Sequence, residues 1–268
     1  MWEKTINRVV LITWARWWLW HILVQKFLNK WYYVLAGIRD LDKNCINKKN
    51  LEYIKLDVTK EEDIVKTLEY VEEIWSLKVI INNAAISGWW KIWERNIEVE
   101  KKIYDVNFFA PINIMKLSQD ILEKNYWILI NISSISANVP VPFISTYASS
   151  KSALENFMIW AFLEKRKSKI RCLNLKLWPL TKWLCWSSLP QENSKYKSWV
   201  KNHLSKIQRL HWYPVEKVWD YIIKYIENNK KFKIKTLWIW ANIVVFLSKI
   251  IPQPYYQKLI WKTYREIK

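Results

Sequence analysis

RVVLITWARWWLWHILVQKFLNKWYYVLAGIRD, residues Arg8 to Asp40, decides the fold. The apolar, β-branched run Val9 to Thr13 reads as a buried strand, and Leu19, Ile22, Leu23 and Phe27 then fall at helical spacing. Tyr32 to Ala36 reads as a second strand. Strand, helix and strand within this length form a βαβ unit, which places its two strands parallel in one sheet.

The alternation continues outward from that unit. Leu51 to Thr59 reads as a strand, Lys60 to Ile74 as a helix with acidic residues early, and Leu77 to Ala85 as a buried strand. Ile97 to Lys124 is a long helical stretch, Trp127 to Ser134 a strand, Tyr147 to Lys167 a helix and Lys169 to Leu177 a strand. This order predicts a Rossmann-like α/β fold, a doubly wound parallel sheet in three αβα layers forming a single domain. Leu180 to Pro214 breaks the pattern, being polar, Ser-rich and without period. It leaves the carboxyl end of a strand, where open α/β sheets bind ligands, so it is expected to cover the substrate. Val215 to Asn229 reads as a further helix. The expected organisation is one domain over residues 1–236, with a lid at about 180–214, and a hydrophobic, basic tail over 237–268 that packs on the domain or lies on a membrane surface.

The chain has 21 Trp and 2 Gly, where glycine usage of about 7% would give roughly 19. The tryptophans stand where the backbone asks for glycine: Trp14, Trp18 and Trp20 in the first strand-to-helix turn, Trp31 before the second strand, Trp89 and Trp90 after NNAAISG, and Trp127 before ILINISS. A tight turn, a close backbone approach to a pyrophosphate and close helix–strand packing all favour glycine in such a turn. The pattern reads as UGA codons that the source assigns to glycine, rendered as tryptophan, and the richness in Lys, Ile and Asn fits an AT-rich gene. The alternative is a natural or designed Trp-rich chain. Codons separate the two, and single positions such as Trp2 and Trp160 can be tryptophan under either reading.

With glycine at Trp14, Trp18 and Trp20 the turn reads TGARxGLG and resembles the TGxxxGxG nucleotide-binding turn of the short-chain dehydrogenase/reductase family. The resemblance runs from about Arg8 to Thr181 and more weakly to the helix near Val218. It implies that Thr13, Trp14, Arg16, Trp18, Leu19 and Trp20 hold the cofactor's phosphates, that Asp57 and Val58 meet its adenine, and that Asn83 and Ala84 belong to the NNAG motif. Ala85 stands there for the family's glycine, the smallest departure available. LWPLTKW departs more, which bears on the nicotinamide contacts expected of Pro179 and Thr181.

Tyr147 and Lys151 lie four apart in YASSK, on one helix face. A phenol with an ordinary pKa of about 10 transfers protons poorly near neutrality unless a cation favours its ionised form, and Lys151 is placed to supply that cation and to reach a ribose. Abundant Tyr and Lys make the spacing weak by itself; its context carries it. Ser134, thirteen residues before Tyr147 in NISS, matches the family's carbonyl-binding serine, while Ser133 reads as the turn former. Asn107 in DVNFFAP matches the helix asparagine that supports a water between Lys151 and solvent. The resemblance thus implies interconversion of a secondary alcohol and a ketone, with Asn107, Ser134, Tyr147 and Lys151 as the catalytic set, no metal, and homo-oligomers formed through the helices that carry Asn107 and Tyr147.

Cofactor choice is read at the end of the second strand, where an acid binds the NAD ribose and an arginine accommodates the 2′-phosphate of NADP. Ile38 stands at the acidic position, Arg39 follows and Arg16 lies in the turn, so NADP(H) is favoured over NAD(H). Asp40 or Asp42 takes the acidic role if the register slips by one. Rival functions are a non-catalytic dinucleotide-binding scaffold and a membrane-surface reductase of lipid-type ketones.

Lys and Arg exceed Asp and Glu by 43 to 24, a formal charge of +19 spread along the chain, so no nucleic-acid partner is expected. Cys45, Cys172 and Cys185 form neither a metal pattern nor a disulfide framework. No signal peptide is read at the N-terminus, and the apolar run Leu237 to Leu247 is shorter than the roughly 18 residues a spanning helix needs. A cytoplasmic protein is expected, its tail either meeting a membrane surface or covering the substrate cleft or a partner subunit.

Overall fold

The structure is a computed structural model that describes residues 8–15, 18–42, 45–74, 77–88, 91–125, 128–141, 143–164, 167, 170–177, 214–228, 232–237, 239–252 and 254–258. Strands β1 (Val9–Thr13), β2 (Tyr33–Ile38), β3 (Leu51–Lys55), β4 (Leu77–Asn82), β5 (Ile128–Ser134), β6 (Arg171–Leu177) and β7 (Phe232–Thr236) form one sheet in the order β3-β2-β1-β4-β5-β6-β7. All neighbouring pairs are parallel. Helices α1 (Trp18–Leu28), α2 (Glu61–Ile74), α3 (Ile97–Tyr104), α4 (Ala110–Leu117), α5 (Gln119–Asn125), α6 (Ser145–Glu164), α7 (Val215–Glu227) and α8 (Ile239–Ile250) connect or follow them.

The strands read as continuous apolar runs because both faces are covered. One core joins Val10, Ile12, Val34, Ala36, Ile81 and Ile130 to α1 and α7 through Leu23, Phe27, Val218, Trp219 and Ile222. The other joins Val9, Leu11, Leu35, Ile80 and Leu129 to α2, α3, α4 and α6 through Ile64, Leu68, Ile103, Ile114, Leu154 and Met158. Alternate residues of each strand serve opposite layers, as the period of two requires.

Four details differ from the sequence expectation. β3 stops at Lys55 instead of Thr59, because the Asp57 N–H turns to Asp63 Oδ2 (2.9 Å) and Asp57 Oδ1 accepts from Thr59 N (3.0 Å), starting α2. β4 ends at Asn82 rather than Ala85. The stretch 97–124 is interrupted by a π-turn at Asp105–Phe109 and again at Ser118, whose hydroxyl donates to Ile114 O at 2.6 Å. β7 was not expected: the domain's last residues before the tail were given no element, yet they add an edge strand to β6, where lysine suits an edge. The lid at 180–214 lies outside the described residues except Pro214. The described part of the tail packs on the domain through Val245 and Tyr256, which cluster with Ile135 and Val139.

Candidate active site

Thr13 ends β1, and its hydroxyl ties the following turn to the end of β4. Oγ1 accepts from Asn83 N and Ala84 N, both at 3.0 Å, and donates to Ile81 O at 3.4 Å. Asn83 Nδ2 donates in return to Thr13 O at 3.0 Å and Trp14 O at 3.3 Å. Asn83 Oδ1 is buried without a partner among the described residues, an acceptor that a bound molecule can satisfy.

Trp14 has φ 57° and Ala15 N donates to Gly37 O at 3.1 Å, so the turn is tight and left-handed at its first residue. That conformation is routine for glycine and costs a side-chain-bearing residue about 1–2 kcal/mol. The half-buried indole of Trp14 packs against the core that contains Leu56, Val58, Ala84 and Ile86, beside the residues assigned to the nucleotide. Polar groups around the turn therefore fit a dinucleotide. A Cβ at Gly37 would lie 2.7 Å from Leu56 Cδ2, so that side chain would have to shift to admit one.

Trp18, Leu19 and Trp20 form the first turn of α1. Arg16, Pro179 and Thr181 lie outside the described residues. Arg39 follows β2, exposed, with Nε 2.9 Å from Asp40 Oδ2. Asp42 is engaged with Cys45, whose Sγ lies 3.4 Å from Asp42 Oδ1. Val58 is buried beside Asp57 at the start of α2.

The four catalytic candidates converge between β5, α6 and the π-turn. Asn107 is fully buried on that turn, where its Oδ1 accepts from Ile86 N (2.8 Å) and its Nδ2 donates to Ile86 O (2.9 Å) and Ser150 Oγ (3.1 Å). Ser150 Oγ donates to Tyr147 O at 2.8 Å, so one polar chain links the segment after NNAA to the catalytic helix. A π-turn widens the helix locally and occurs often at functional positions. Lys151 Nζ donates to Ile132 O at 2.9 Å and lies 5.9 Å from the centre of the Tyr147 ring. Burial lowers the Lys151 pKa to about 7 and raises that of Tyr147, the latter opposed by a hydrogen bond with Ser134. Ser134 Oγ also accepts from Ser136 N (3.2 Å) and Ser136 Oγ (2.9 Å), capping the short 3₁₀ turn Ile135–Ala137. The turn-forming role expected of Ser133 thus falls to Ser134, because strand alternation puts the Ser133 side chain inside the sheet layer.

Three supporting groups were not anticipated. Asn82, Asn131 and Asn174 are register partners on β4, β5 and β6, and their amides form a buried ladder with Nδ2–Oδ1 distances of 2.9 Å. Lys176, buried in β6, lies 2.8 Å from Glu155 Oε1 and 2.5 Å from Asn138 Oδ1, holding the loop after Ser134 against α6 one turn beyond Lys151. Arg95 pairs with Glu100 at 3.0 Å and donates to Thr146, the residue before Tyr147. The available signals were polar residues inside apolar runs, as in VIINN, ILINI and CLNLKL. Among the described residues no group of His, Cys, Asp and Glu is arranged to hold a metal.

Sheet order and site together define a Rossmann-like α/β protein with a nucleotide-type turn and a Ser–Tyr–Lys centre. The chain belongs to the short chain dehydrogenase family, whose sequence profile matches residues 34–178. It is 32% identical over 135 residues to the NADPH-dependent 1-acyldihydroxyacetone phosphate reductase of Schizosaccharomyces pombe, covering 49% of this chain and 46% of that protein. It is 30% identical over 166 residues to estradiol 17-beta-dehydrogenase 2 of Rattus norvegicus, covering 56% and 42%. The chain spans about half the length of the curated relatives it matches. In fold it is similar to a short chain dehydrogenase from Burkholderia cenocepacia solved with NADP, with TM-score 0.74, 19% identity and coverage of 95% and 98%.

Proposed function

We propose that this protein is an NADP(H)-dependent oxidoreductase interconverting a secondary alcohol and a ketone. The observation that carries the reading is the convergence of Tyr147, Lys151, Ser134 and Asn107 around one buried polar chain. The nicotinamide, when bound, supplies or accepts hydride. Tyr147 gives a proton to the carbonyl oxygen or takes it from the alcohol, and Ser134 orients that oxygen by hydrogen bonding. Lys151 favours the ionised phenol and reaches the ribose. Its ammonium is disfavoured by burial, so an approaching anion or phenolate restores its charge. Asn107 fixes Ile86 and, through Ser150, the Tyr147 turn, which keeps the proton path in register. Arg39, beside the end of β2, is assigned the 2′-phosphate, and a relative named as NADPH-dependent supports that choice.

The functional chain carries glycine at positions 14 and 31, encoded by UGA. Both tryptophans hold left-handed backbone, with φ 57° and 61°. Trp31 sits where a helix C-terminus most often uses glycine: Tyr32 N donates to Phe27 O (3.1 Å) and Trp31 N to Leu28 O (3.0 Å), the Schellman pattern. Phe27 and Tyr32 add the accompanying apolar contact, with ring centres 5.1 Å apart. A homo-oligomer is proposed through the π-turn and α6, which expose Phe109, Trp160 and Leu163.

The test is to express the chain with glycine at 14, 18, 20 and 31, titrate it with NADPH and NADH, and follow nicotinamide absorbance over a panel of ketones. NADPH binding with ketone-dependent oxidation is the expected result; binding without turnover on any ketone would favour the scaffold reading. UGG codons at positions 14 and 31 would end the glycine assignment.

A further inference from the structure

The segment after α7 differs from the rest of the molecule in charge and in surface. From Asn228 to Arg265 there is no Asp or Glu, while Lys230, Lys231, Lys233, Lys235, Lys249, Lys258, Lys262 and Arg265 are all basic. Within it, α8 carries two apolar faces. Val245 faces inward with Val244 beside it, packing with Tyr256 and Ile251 onto Ile135 and Val139 of the loop that follows Ser134. Ile243, Phe246, Leu247 and Ile250 are spaced i, i+3, i+4, i+7 and lie together on the outer side, 38%, 61%, 39% and 59% exposed. Tyr255 beyond the helix is 68% exposed. Lys249 and Lys258 are exposed, and neither makes an ion pair among the described residues.

A solvent-facing helix side is ordinarily polar, and a stripe of this kind marks a surface that meets something apolar. A protein partner would be expected to meet a mixture of charges. The described charged residues of α8 and the stretch after it are the cations Lys249 and Lys258, and Asn242 ties the helix to the end of the edge strand that carries Lys233 and Lys235, a pattern that complements an apolar layer beneath an anionic one. We propose that α8 docks the protein on an anionic phospholipid surface, with Ile243, Phe246, Leu247 and Ile250 entering the acyl boundary and Lys249 and Lys258 at the headgroups. No helix among the described residues is long and apolar enough to cross a membrane, so the contact is interfacial. Because the inner face of α8 rests on the loop after Ser134, docking brings that loop within about one helix diameter, roughly 10 Å, of the bilayer.

The test is flotation of the purified full chain with phosphatidylcholine vesicles, with and without phosphatidylglycerol, at low and high salt. It needs no catalytic turnover, so it stands apart from the reading of the reaction. Binding is expected only with phosphatidylglycerol and weaker at high salt. Phe246→Ser with Leu247→Ser, both exposed, should weaken it at least about tenfold without changing the circular dichroism spectrum, and Lys249→Glu with Lys258→Glu should remove the lipid selectivity. Failure of the folded chain to float with anionic vesicles, or flotation indifferent to both variant pairs, would overturn the proposal. So would a Phe246→Ser, Leu247→Ser chain that changes oligomeric state while the parent binds no vesicle, since the stripe would then be a contact between copies.

Discussion

The turn after β1 and the centre formed by β5, α6 and the π-turn meet at the same carboxyl edge of the sheet, yet they tolerate sequence change in opposite ways. The proposed catalytic centre is defined by side chains that are present: Asn107, Ser134, Tyr147 and Lys151 each have named partners, and buried amides and ion pairs support them. The nucleotide turn is defined by space and backbone, so it depends on side chains being absent. Trp14 holds left-handed backbone, Ala15 N still donates to Gly37 O, and the indole packs against the core beside Val58 and Ala84.

The sharpest way to break this contrast lies in the catalytic centre. In the glycine-bearing chain, Tyr147→Phe should lower ketone reduction by about 10²–10⁴-fold, with NADPH affinity nearly unchanged because the phenol enters only the chemical step. Lys151→Ala should reduce turnover and weaken NADPH binding together. Steady-state kinetics beside fluorescence titration separates the two, and full turnover by Tyr147→Phe would refute the assignment.

Not every tryptophan marks a gap. Trp219 is fully buried in the core between α7 and the sheet. Trp219→Gly should therefore destabilise the protein by about 3–5 kcal/mol in urea denaturation, and its codon is expected to be UGG. A neutral or stabilising substitution would return position 219 to the glycine group.

Affinity tests the gap itself. Glycine at positions 14, 18 and 20 should tighten NADPH binding at least about tenfold, the equivalent of about 1.4 kcal/mol, relative to the chain carrying Trp14, Trp18 and Trp20. Equal dissociation constants would remove the steric argument.

Proton linkage probes the burial of Lys151 in the nucleotide-free protein. Burial lowers its pKa to about 7 from 10.5, so between these values the unfolded chain holds a proton that the folded chain lacks. Stability then rises with pH across that window, by up to about 1.4 kcal/mol per unit for one proton, and below pH 7 the charged ammonium keeps its full burial cost. Lys151→Met should flatten the slope by about one proton in denaturation series from pH 7 to 10. An unchanged slope would show that Lys151 is charged when buried.

The smallest effect belongs to Trp31, which is 81% exposed and left-handed. Trp31→Gly should stabilise the protein by about 1 kcal/mol, measured as a shift in the urea midpoint at constant slope. Destabilisation would mean that the indole contributes packing of its own.

Hydrophobic period made most of the fold legible in advance. Strands buried on both faces announce themselves as unbroken apolar runs, as in Val9–Thr13 and Ile128–Ser134, and helices between them imply a parallel sheet. β7 escaped because its five residues, FKIKT, are short and lack the unbroken apolar run of the central strands. That Tyr147 and Lys151 share a helix face was legible through spacing, whatever surrounds them. Their support was not: Asn82, Asn131 and Asn174 are far apart in the chain, and only parallel register aligns their amides. Sequence by itself thus determined the buried strands, the order of strands and helices around them and the shared helix face of Tyr147 and Lys151, because these follow from local period and short spacing. Tertiary structure decided the π-turn that aims Asn107 at Ile86, the burial that depresses Lys151, and which tryptophans sit at left-handed turns and which in the core. Those properties arise only when segments distant in the chain exclude water from one another.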